Sequence, residues 1–245
     1  MASHHGGSRV KSLFELILAG AHWPARLVAC LGAAICLTLT FVVCAHLPLA
    51  LADLPVIVAP LGASAVLVFA VPSSPLAQPW AVVGGNIVST LVGVAVFHAI
   101  PVTAIAAGVA VGAAILAMSL LRCLHPPGGA AALTAVIGSH GIHAAGFAFA
   151  FAPVGINSIA LVSLGMFYHR MTGHSYPHRP SPAVAPAPGL HAADIDAALA
   201  DLHESFDIAP EDLDALLTRA HWHAQARHRG HAPSTAARRP VTPVP

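Results

Sequence analysis

The stretch Arg122-Cys123-Leu124-His125-Pro126-Pro127-Gly128-Gly129-Ala130 decides how the rest of this chain is interpreted. It places an arginine and a histidine beside a helix-breaking Pro-Pro-Gly-Gly run. Between Arg26 and Arg170, the only other residue that is charged at neutral pH is Asp53. A charged side chain inside such apolar sequence is unfavourable in lipid, so it marks a candidate functional site.

The composition of the chain indicates a membrane protein. Its 245 residues are 56% hydrophobic and 9% charged, whereas soluble domains carry roughly 25% charged residues. The runs Leu27–Ala52 and Leu54–Leu121 contain no Asp, Glu, Lys or Arg, and each exceeds the roughly 20 residues that cross a bilayer. The expected surrounding is therefore a lipid bilayer, and the net charge of +1 gives no reason to expect nucleic acid as a partner.

The sequence gives no support for an enzyme, a metal site or a cofactor. The four cysteines lie in apolar sequence without the paired spacing of a disulfide framework or a zinc site. The seventeen histidines lack carboxylate or cysteine partners at a recognised zinc spacing. No nucleophile elbow, phosphate-cradling loop or HExxH motif occurs. We therefore expect no catalytic residue, no metal and no cofactor.

Hydropathy predicts an all-α fold, a multi-pass transmembrane helical bundle. Four full spans are predicted, at Leu27–Leu47, Trp80–Ile100, Val102–Leu121 and Ala145–Tyr168. Two shorter apolar helices are predicted to be broken or re-entrant. One of them begins at Pro60, and the other ends near Gly138. Gly108 and Gly112 are spaced for close helix packing. Both four spans with two re-entrant segments and six crossings with two short helices remain open.

The basic residues predict the orientation of the spans. Arg9, Lys11 and Arg26 precede the first span, whereas Arg170 and Arg179 follow the last one. The positive-inside rule then places both termini in the cytoplasm, which requires an even number of crossings. We expect a multi-pass protein of the cell membrane, specifically a bacterial inner membrane.

Outside the membrane domain, composition predicts further segments. Residues 194–214 hold eight of the ten acids, with apolar residues at helical spacing. This pattern predicts a two-helix hairpin, whose apolar face could bind a cytoplasmic protein partner. Assembly of the protein into a homo-oligomer is a further open prediction. The predicted segments are a cytoplasmic or interfacial N-terminus (1–25), the transmembrane domain (26–170), a Pro/Ala linker (171–190), an acidic cytoplasmic helical hairpin (191–226) and a disordered basic tail (227–245).

A weak internal repeat relates the two broken-helix openings. Pro60–Ala65 aligns with Pro127–Ala132 at a shift of 67 residues. Each opening follows a long span and precedes one that contains an asparagine, Asn86 or Asn157. Gly/Pro-interrupted segments at matching places in two halves point to a transporter binding site.

The candidate substrate site is built around these two openings. Pro126 should hold His125 out of helical geometry, and the following glycines should let the backbone turn into a new helix. The start of that helix should present unpaired N–H groups to an anion, while Arg122 offers a planar fork to nitrite, nitrate, carboxylate or phosphate. The candidate substrate-binding residues are Arg122, His125, Gly128, Gly129, Pro60, Gly62, Ser64, Asn86 and Asn157, with Pro126 and Pro127 as structural residues.

Simpler interpretations of the same residues remain open. Arg122 could extend to the membrane interface from the end of its span. His125 could bond a backbone carbonyl, and the glycines could serve helix packing alone. The two asparagines could hold helices together without touching a ligand.

Three separated motifs closely resemble the HPP family of integral membrane proteins. They are, in chain order, Ala59–Ala65, Val71–Pro79 and Leu124–Ala130, and the resemblance covers about residues 25–170. The resemblance implies four transmembrane helices and, from members in cyanobacteria and chloroplasts, a link to nitrite transport. Many bacterial relatives continue into paired CBS domains, where this chain has an arginine-rich tail. We therefore expect no regulation by CBS-bound nucleotide from this chain.

These observations lead to one function hypothesis and one alternative. The first is a transporter or channel for a small anion, with nitrite as the first guess. The alternative is a non-transporting membrane scaffold or sensor whose cytoplasmic hairpin recruits a partner.

Overall fold

The computed structural model describes residues 23–46, 54–179, 191–202 and 207–230. The chain divides into two compact units, Met1–Arg179 and Pro180–Pro245. Most of the predicted N-terminal segment, part of the linker and the end of the tail lie outside the described residues. The two units are treated separately below.

The first unit is a bundle of helices, with no strand among its described residues. Four of its helical stretches are long and apolar enough to cross a membrane, at Pro24–His46, Pro79–Ala99, Thr103–Leu120 and Ala150–Thr172. The predicted all-α multi-pass bundle is therefore confirmed. The helices are α1 (Trp23–His46), α2 (Pro60–Ala70), α3 (Pro79–Ala99), α4 (Thr103–Leu120), α5 (Pro126–Ile137), α6 (His140–Ala145) and α7 (Ile156–Thr172).

Prolines set several of these boundaries. Pro60, Pro79 and Pro126 each open a helix, because a proline in the first turn lacks only an N–H that would have no helical partner there. A 3-10 turn, Pro75–Ala77, precedes α3, and a wide helical turn, Ala150–Gly155, precedes α7. Inside that wide turn, the residue before Pro153 leaves helical geometry, because a proline disfavours the helical conformation at the residue before it.

The helices pack in two groups that exchange partners between the two halves of the repeat. The first half comprises α1, α2 and α3, and the second comprises α4, α5 and α7. Yet α3 packs against α4 and α5, whereas α7 packs against α1 and α2. The asparagine-bearing helix of each half therefore packs against the helices of the other half. Each of the two broken helices contacts helices from both halves.

Contacts between helix ends show that α1 and α7 run antiparallel. The Tyr168 hydroxyl, near the end of α7, donates to the Val28 carbonyl near the start of α1 at 2.8 Å. At the other end, the Asn157 amide donates to the Cys44 sulfur at 3.2 Å. The end of the bundle where α1 begins and α7 finishes is called the terminal face below.

The short helix α2 brings the chain back to the terminal face. Its approach segment contacts Asn157 through the Val58 N–H at 3.0 Å, and the Val68 carbonyl, near its end, lies 2.9 Å from His169 Nε2. The start of α3 is also at the terminal face, because the Tyr176 hydroxyl after α7 donates to the Ala77 carbonyl at 2.9 Å.

The short helix α5 runs in the same direction as α3. Gly128 lies beside Gly85, and Ala132 lies beside Gly93 further along. Of the two arrangements that the sequence left open, the geometry matches six alternating passes, of which α2 and α5 are short. Since eleven residues of helix span only about 16 Å, the non-helical segment before Pro60 covers part of the α2 pass.

The predicted close packing at Gly108 and Gly112 of α4 does not occur inside the described part of the unit. A Cβ added to Gly108 or Gly112 would meet nothing within 4 Å among the described residues. The close helix approach predicted for this pair is therefore wrong within the described bundle. Both glycines lie on the outer surface of α4, where Ile105, Val109 and Leu116 are also exposed.

The described residues of the second unit form two helices, α8 (Ala192–Leu202) and α9 (Pro210–Gly230). Acidic residues stand in the first turn of both helices, where they favour the positive end of the helix dipole. Ile195 and Ala215 are buried. Helix α9 runs to Gly230, so the tail predicted to be disordered from residue 227 begins as helix, and residues 231–245 lie outside the described residues.

Candidate functional site

Four polar side chains meet in the interior of the first unit. Ser64, Asn86, His125 and Ser158 are each at most 1% exposed. Ser64 Oγ lies 2.8 Å from His125 Nε2 and 3.2 Å from Asn86 Nδ2, and Asn86 Nδ2 also reaches Ser158 Oγ at 3.2 Å. The structure thus joins α2, α3, α7 and the start of α5 through one buried group, called the polar network below.

Hydrogen-bonding rules fix the protons of this network. His125 Nδ1 lies 2.8 Å from the Leu76 carbonyl oxygen, which can only accept, so Nδ1 carries the hydrogen of the neutral ring. His125 Nε2 must then accept the Ser64 hydroxyl proton, and Ser64 Oγ accepts from the Asn86 amide. The Ser158 hydroxyl donates to the Val154 carbonyl at 2.9 Å. Each proton therefore has one defined direction.

The backbone around His125 follows from its neighbours. His125 is extended, with φ −142° and ψ 108°, because Pro126 excludes helical geometry from the preceding residue. On the facing helix, a Cβ at Gly85 would lie 2.6 Å from His125 Cβ and 2.7 Å from the Cys123 carbonyl oxygen. Only glycine at position 85 lets α3 come this close to His125.

The turn that leads into α5 is made by Arg122, not by the glycines. Arg122 has a φ of 54°, a left-handed conformation that is uncommon for a residue with a Cβ. Gly128 and Gly129 lie inside α5, which already begins at Pro126. The prediction that the glycines make the turn is therefore wrong, because two prolines in the first turn start the helix before them.

Gly128 serves close packing, whereas Gly129 does not. A Cβ on Gly128 would lie 2.6 Å from Ser89 Oγ and 3.0 Å from the Gly85 carbonyl oxygen. A Cβ on Gly129 would meet only Val111 Cγ1, at 3.7 Å, which is an ordinary contact. The first glycine of the pair therefore sets the separation between α5 and α3.

The free N–H groups expected at the two helix starts are largely occupied. Pro126 and Pro127 have none, and the Gly128 N–H donates to the His125 carbonyl at 2.8 Å. At α2, the N–H groups of Leu61 and Gly62 donate to Val58 and Ala59 carbonyls at 3.0 Å. The predicted cradle of unpaired N–H groups is therefore not formed by these residues, and Pro60 and Gly62 shape α2 without presenting a donor.

Arg122 lies apart from the polar network. It is exposed and lines an open recess of about 330 Å³ together with Pro75, Leu76, Ala81, Ser119 and Leu124. Leu76 is shared by both features, because its carbonyl accepts the His125 hydrogen bond. The recess opens at the terminal face, where the Trp80 indole N–H donates to the Leu121 carbonyl at 3.2 Å. The structure thus places Arg122 on the lining of the recess, whereas His125 is buried and bonds the carbonyl of Leu76, another lining residue.

The two candidate asparagines differ in their free bonding capacity. Asn157 Oδ1 accepts from the Val58 N–H at 3.0 Å, and its Nδ2 donates to the Val56 carbonyl at 3.0 Å and to Cys44. Asn157 is therefore fully engaged in holding the segment before α2. By contrast, Asn86 Oδ1 and the neighbouring Ser89 Oγ are buried without a hydrogen-bond partner among the described residues.

Several residues of this site escaped the sequence analysis. Ser158, Ser89, Gly85 and the Leu76 carbonyl were not among the candidates. Ser158 and Ser89 are small polar residues in apolar helices, one beside Asn157 and the other three residues after Asn86, and that proximity was a usable signal. The Leu76 carbonyl carries no sequence signal, since any residue has one.

The fold and the buried network define an integral membrane protein. A family model described as HPP, transmembrane region, matches residues 19–177. The chain therefore belongs to the HPP transmembrane family, and the predicted resemblance is confirmed.

Two transmembrane proteins of Dictyostelium discoideum are similar to part of the chain. One is 42% identical over 104 residues, which is 41% of this chain and 33% of that protein. The other is 39% identical over 107 residues, which is 42% of this chain and 37% of that protein. The matched region thus spans about a third of the length of either relative. No solved structure matches the chain significantly.

Proposed function

We propose that this protein is a transporter or channel for a small inorganic anion, with nitrite as the first substrate to test. The observation that carries the proposal is the polar network, buried where two broken helices meet. Polar groups inside a membrane domain are energetically unfavourable unless they are paired, and they often mark functional sites. Broken helices at matching places in two halves are the usual frame of a transporter site.

The unpaired atoms support a ligand at this place. Asn86 and Ser89 lie on one face of α3, three residues apart, and their Oδ1 and Oγ atoms have no partner among the described residues. Buried polar atoms in folded proteins are otherwise almost always satisfied. Both atoms are therefore available to a small polar ligand.

Arg122 and His125 have separate roles in this proposal. Arg122 is a fixed positive charge at the mouth of the recess, where it raises the local concentration of anions. His125 is buried, with one ring nitrogen bonded to the Leu76 carbonyl of the recess lining and the other bonded to Ser64. The anion meets Arg122 first and the polar network second.

The arginines support a cytoplasmic location for the terminal face. Arg26 stands at the start of α1, Arg170 at the end of α7 and Arg179 in the segment after it, and Arg122 lies beside the start of α3. All four arginines of the described part of this unit are thus at one face. Under the positive-inside rule, both termini are cytoplasmic, in a bacterial inner membrane.

Nitrite uptake into proteoliposomes tests the proposal. Arg122→Asn removes the charge but suits a left-handed backbone, and His125→Ala removes the ring from the polar network. We expect each to reduce nitrite flux by roughly tenfold or more, the loss of about 1.4 kcal/mol of stabilisation. Gly112→Ala, on the outer surface of α4, is the matched control and should retain wild-type flux. Wild-type flux in both site variants would exclude this site.

The second candidate function is a scaffold that recruits a cytoplasmic partner. The observation in its favour is apolar surface on α9, where Leu216 is 57% and Trp222 59% exposed. Deleting residues 180–245, the whole second unit, separates the two functions. A transporter keeps its nitrite flux after the deletion, whereas a protein that acts through a recruited partner loses its activity.

A further inference from the structure

The protons of the polar network can be arranged in two complete ways. In the neutral arrangement, the Ser64 hydroxyl donates to His125 Nε2 at 2.8 Å. If Nε2 gains a proton, it becomes a donor to Ser64 Oγ, and the Ser64 hydroxyl needs another acceptor. The Pro60 carbonyl provides it, 3.3 Å from Ser64 Oγ. His125 Nδ1 donates to Leu76 in both arrangements.

The described part of the first unit offers no acid to balance a positive charge on His125. The described residues 23–46 and 54–179 contain no Asp or Glu. Among the elements packed around His125, α2 and the 3-10 turn carry no ionisable group. Helix α3 carries His98 near its end, and α7 carries Tyr168–Arg170 near its end, and none of these is an Asp or Glu. The connection from α4 adds the Cys123 thiol and exposed Arg122, neither of which is an anion partner.

A buried imidazolium without a counter-ion is strongly unfavourable. A small anion beside His125 would supply that counter-charge, so the anion and the proton each favour binding of the other. One of the unpaired atoms agrees with such a pair, because the Ser89 hydroxyl can donate a hydrogen bond to the anion.

We infer that His125 is the proton site of an electroneutral symport, in which one proton and one small anion cross together. This inference rests on the proposed anion transport and adds its coupling ion. The proton binds His125 Nε2 from water on one side of the membrane and leaves to water on the other side with the anion. The recess reaches Leu76, whose carbonyl accepts the hydrogen bond of the His125 ring.

Proteoliposomes with an imposed pH gradient test the coupling with nitrite as the probe. Protein-free vesicles measure the passive entry of the protonated acid, which is subtracted. With one proton per anion, a gradient of one pH unit should drive a roughly tenfold accumulation. Setting the membrane potential with potassium and valinomycin should leave the flux unchanged, because no net charge moves.

His125→Gln identifies the residue, because its amide can replace both neutral hydrogen bonds but cannot take up a proton. We expect its nitrite accumulation to lose the roughly tenfold response to the gradient, whereas Gly112→Ala keeps it. If His125→Gln does not fold, the wild-type measurements still decide the coupling. Nitrite flux that follows the membrane potential and ignores the pH gradient would overturn the symport and leave anion transport standing. No protein-dependent flux of nitrite would refute both.

Discussion

At the scale of single residues, the role of a side chain depends more on its contacts and hydrogen bonds than on its residue type. Gly128 and Gly129 are the same residue type and adjacent in sequence, yet only at Gly128 would an added Cβ overlap a neighbouring helix. His125 is a lone histidine in apolar sequence, and both of its ring nitrogens are engaged. The roles of these residues follow from what each one touches.

The two glycines of α5 give a direct prediction. Gly128→Ala should destabilise the protein by about 1–3 kcal/mol, because the new methyl group overlaps Ser89 and the α3 backbone. Gly129→Ala should be neutral or stabilise it by up to about 1 kcal/mol, since alanine favours helix. Thermal unfolding in detergent measures both. Equal effects of the two substitutions would contradict the proposed packing.

Tyr176, which follows α7, gives a prediction that depends on pH. Burial raises the pKa of the Tyr176 hydroxyl, which donates to the Ala77 carbonyl. Tyr176→Phe should cost about 1 kcal/mol at neutral pH through the lost hydrogen bond. The raised pKa means that the stabilisation is complete below the unfolded-state pKa, near 10, and is lost as the pH rises above it. The difference in unfolding free energy should therefore shrink at high pH, and a constant difference would argue against a buried neutral phenol.

At the scale of secondary-structure elements, the two broken helices depend on side chains from the other half of the chain. Asn157 of α7 bonds the Val56 carbonyl and the Val58 N–H in the non-helical segment before α2. These backbone groups have no helical partner, and lipid offers none. The exchange of α3 and α7 between the halves thus supports a helix opening that neither half could stabilise by itself.

Asn157 and Asn86 should therefore respond differently to alanine. Asn157→Ala leaves two backbone groups unpaired and should cost about 2–4 kcal/mol. Asn86→Ala should cost less, about 1–2 kcal/mol, because Ser64 and Ser158 keep other partners. Unfolding of both variants in the same detergent makes the comparison. A larger effect at Asn86 would contradict the roles assigned here.

At the scale of the whole molecule, the alternating directions of α1, α2 and α3 fix the position of the loop at residues 71–78. With six passes, this loop lies at the terminal face, close to Tyr176. If α2 re-entered and returned to its starting face, the loop would lie on the opposite side. The loop position therefore distinguishes the two topologies.

Cysteine labelling from one side of the membrane measures this position. Ser73→Cys and Ser175→Cys, both at exposed positions, should react with a membrane-impermeant maleimide from the same side. Val102→Cys, 54% exposed between α3 and α4, should react only from the other side. The wild-type protein with its native cysteines is the blank. Labelling of Ser73→Cys together with Val102→Cys would favour a re-entrant α2.

The sequence by itself determined the class of protein, the four long spans and the positions of the two broken helices. Charge-free apolar runs and prolines act locally, so each can be interpreted without knowing its neighbours. The sequence also singled out His125, Ser64 and Asn86, because polar residues in such runs are few.

Only the tertiary structure decided which of these residues meet. It joined His125 to Ser64 and Asn86, placed Arg122 outside this network, and engaged Asn157 in a structural role. It also moved the turn from the glycines to Arg122. The physical reason is that contacts between distant helices depend on packing and on the direction of each pass. A single chain of residues, without homologous sequences to compare, does not encode those two properties in any local pattern.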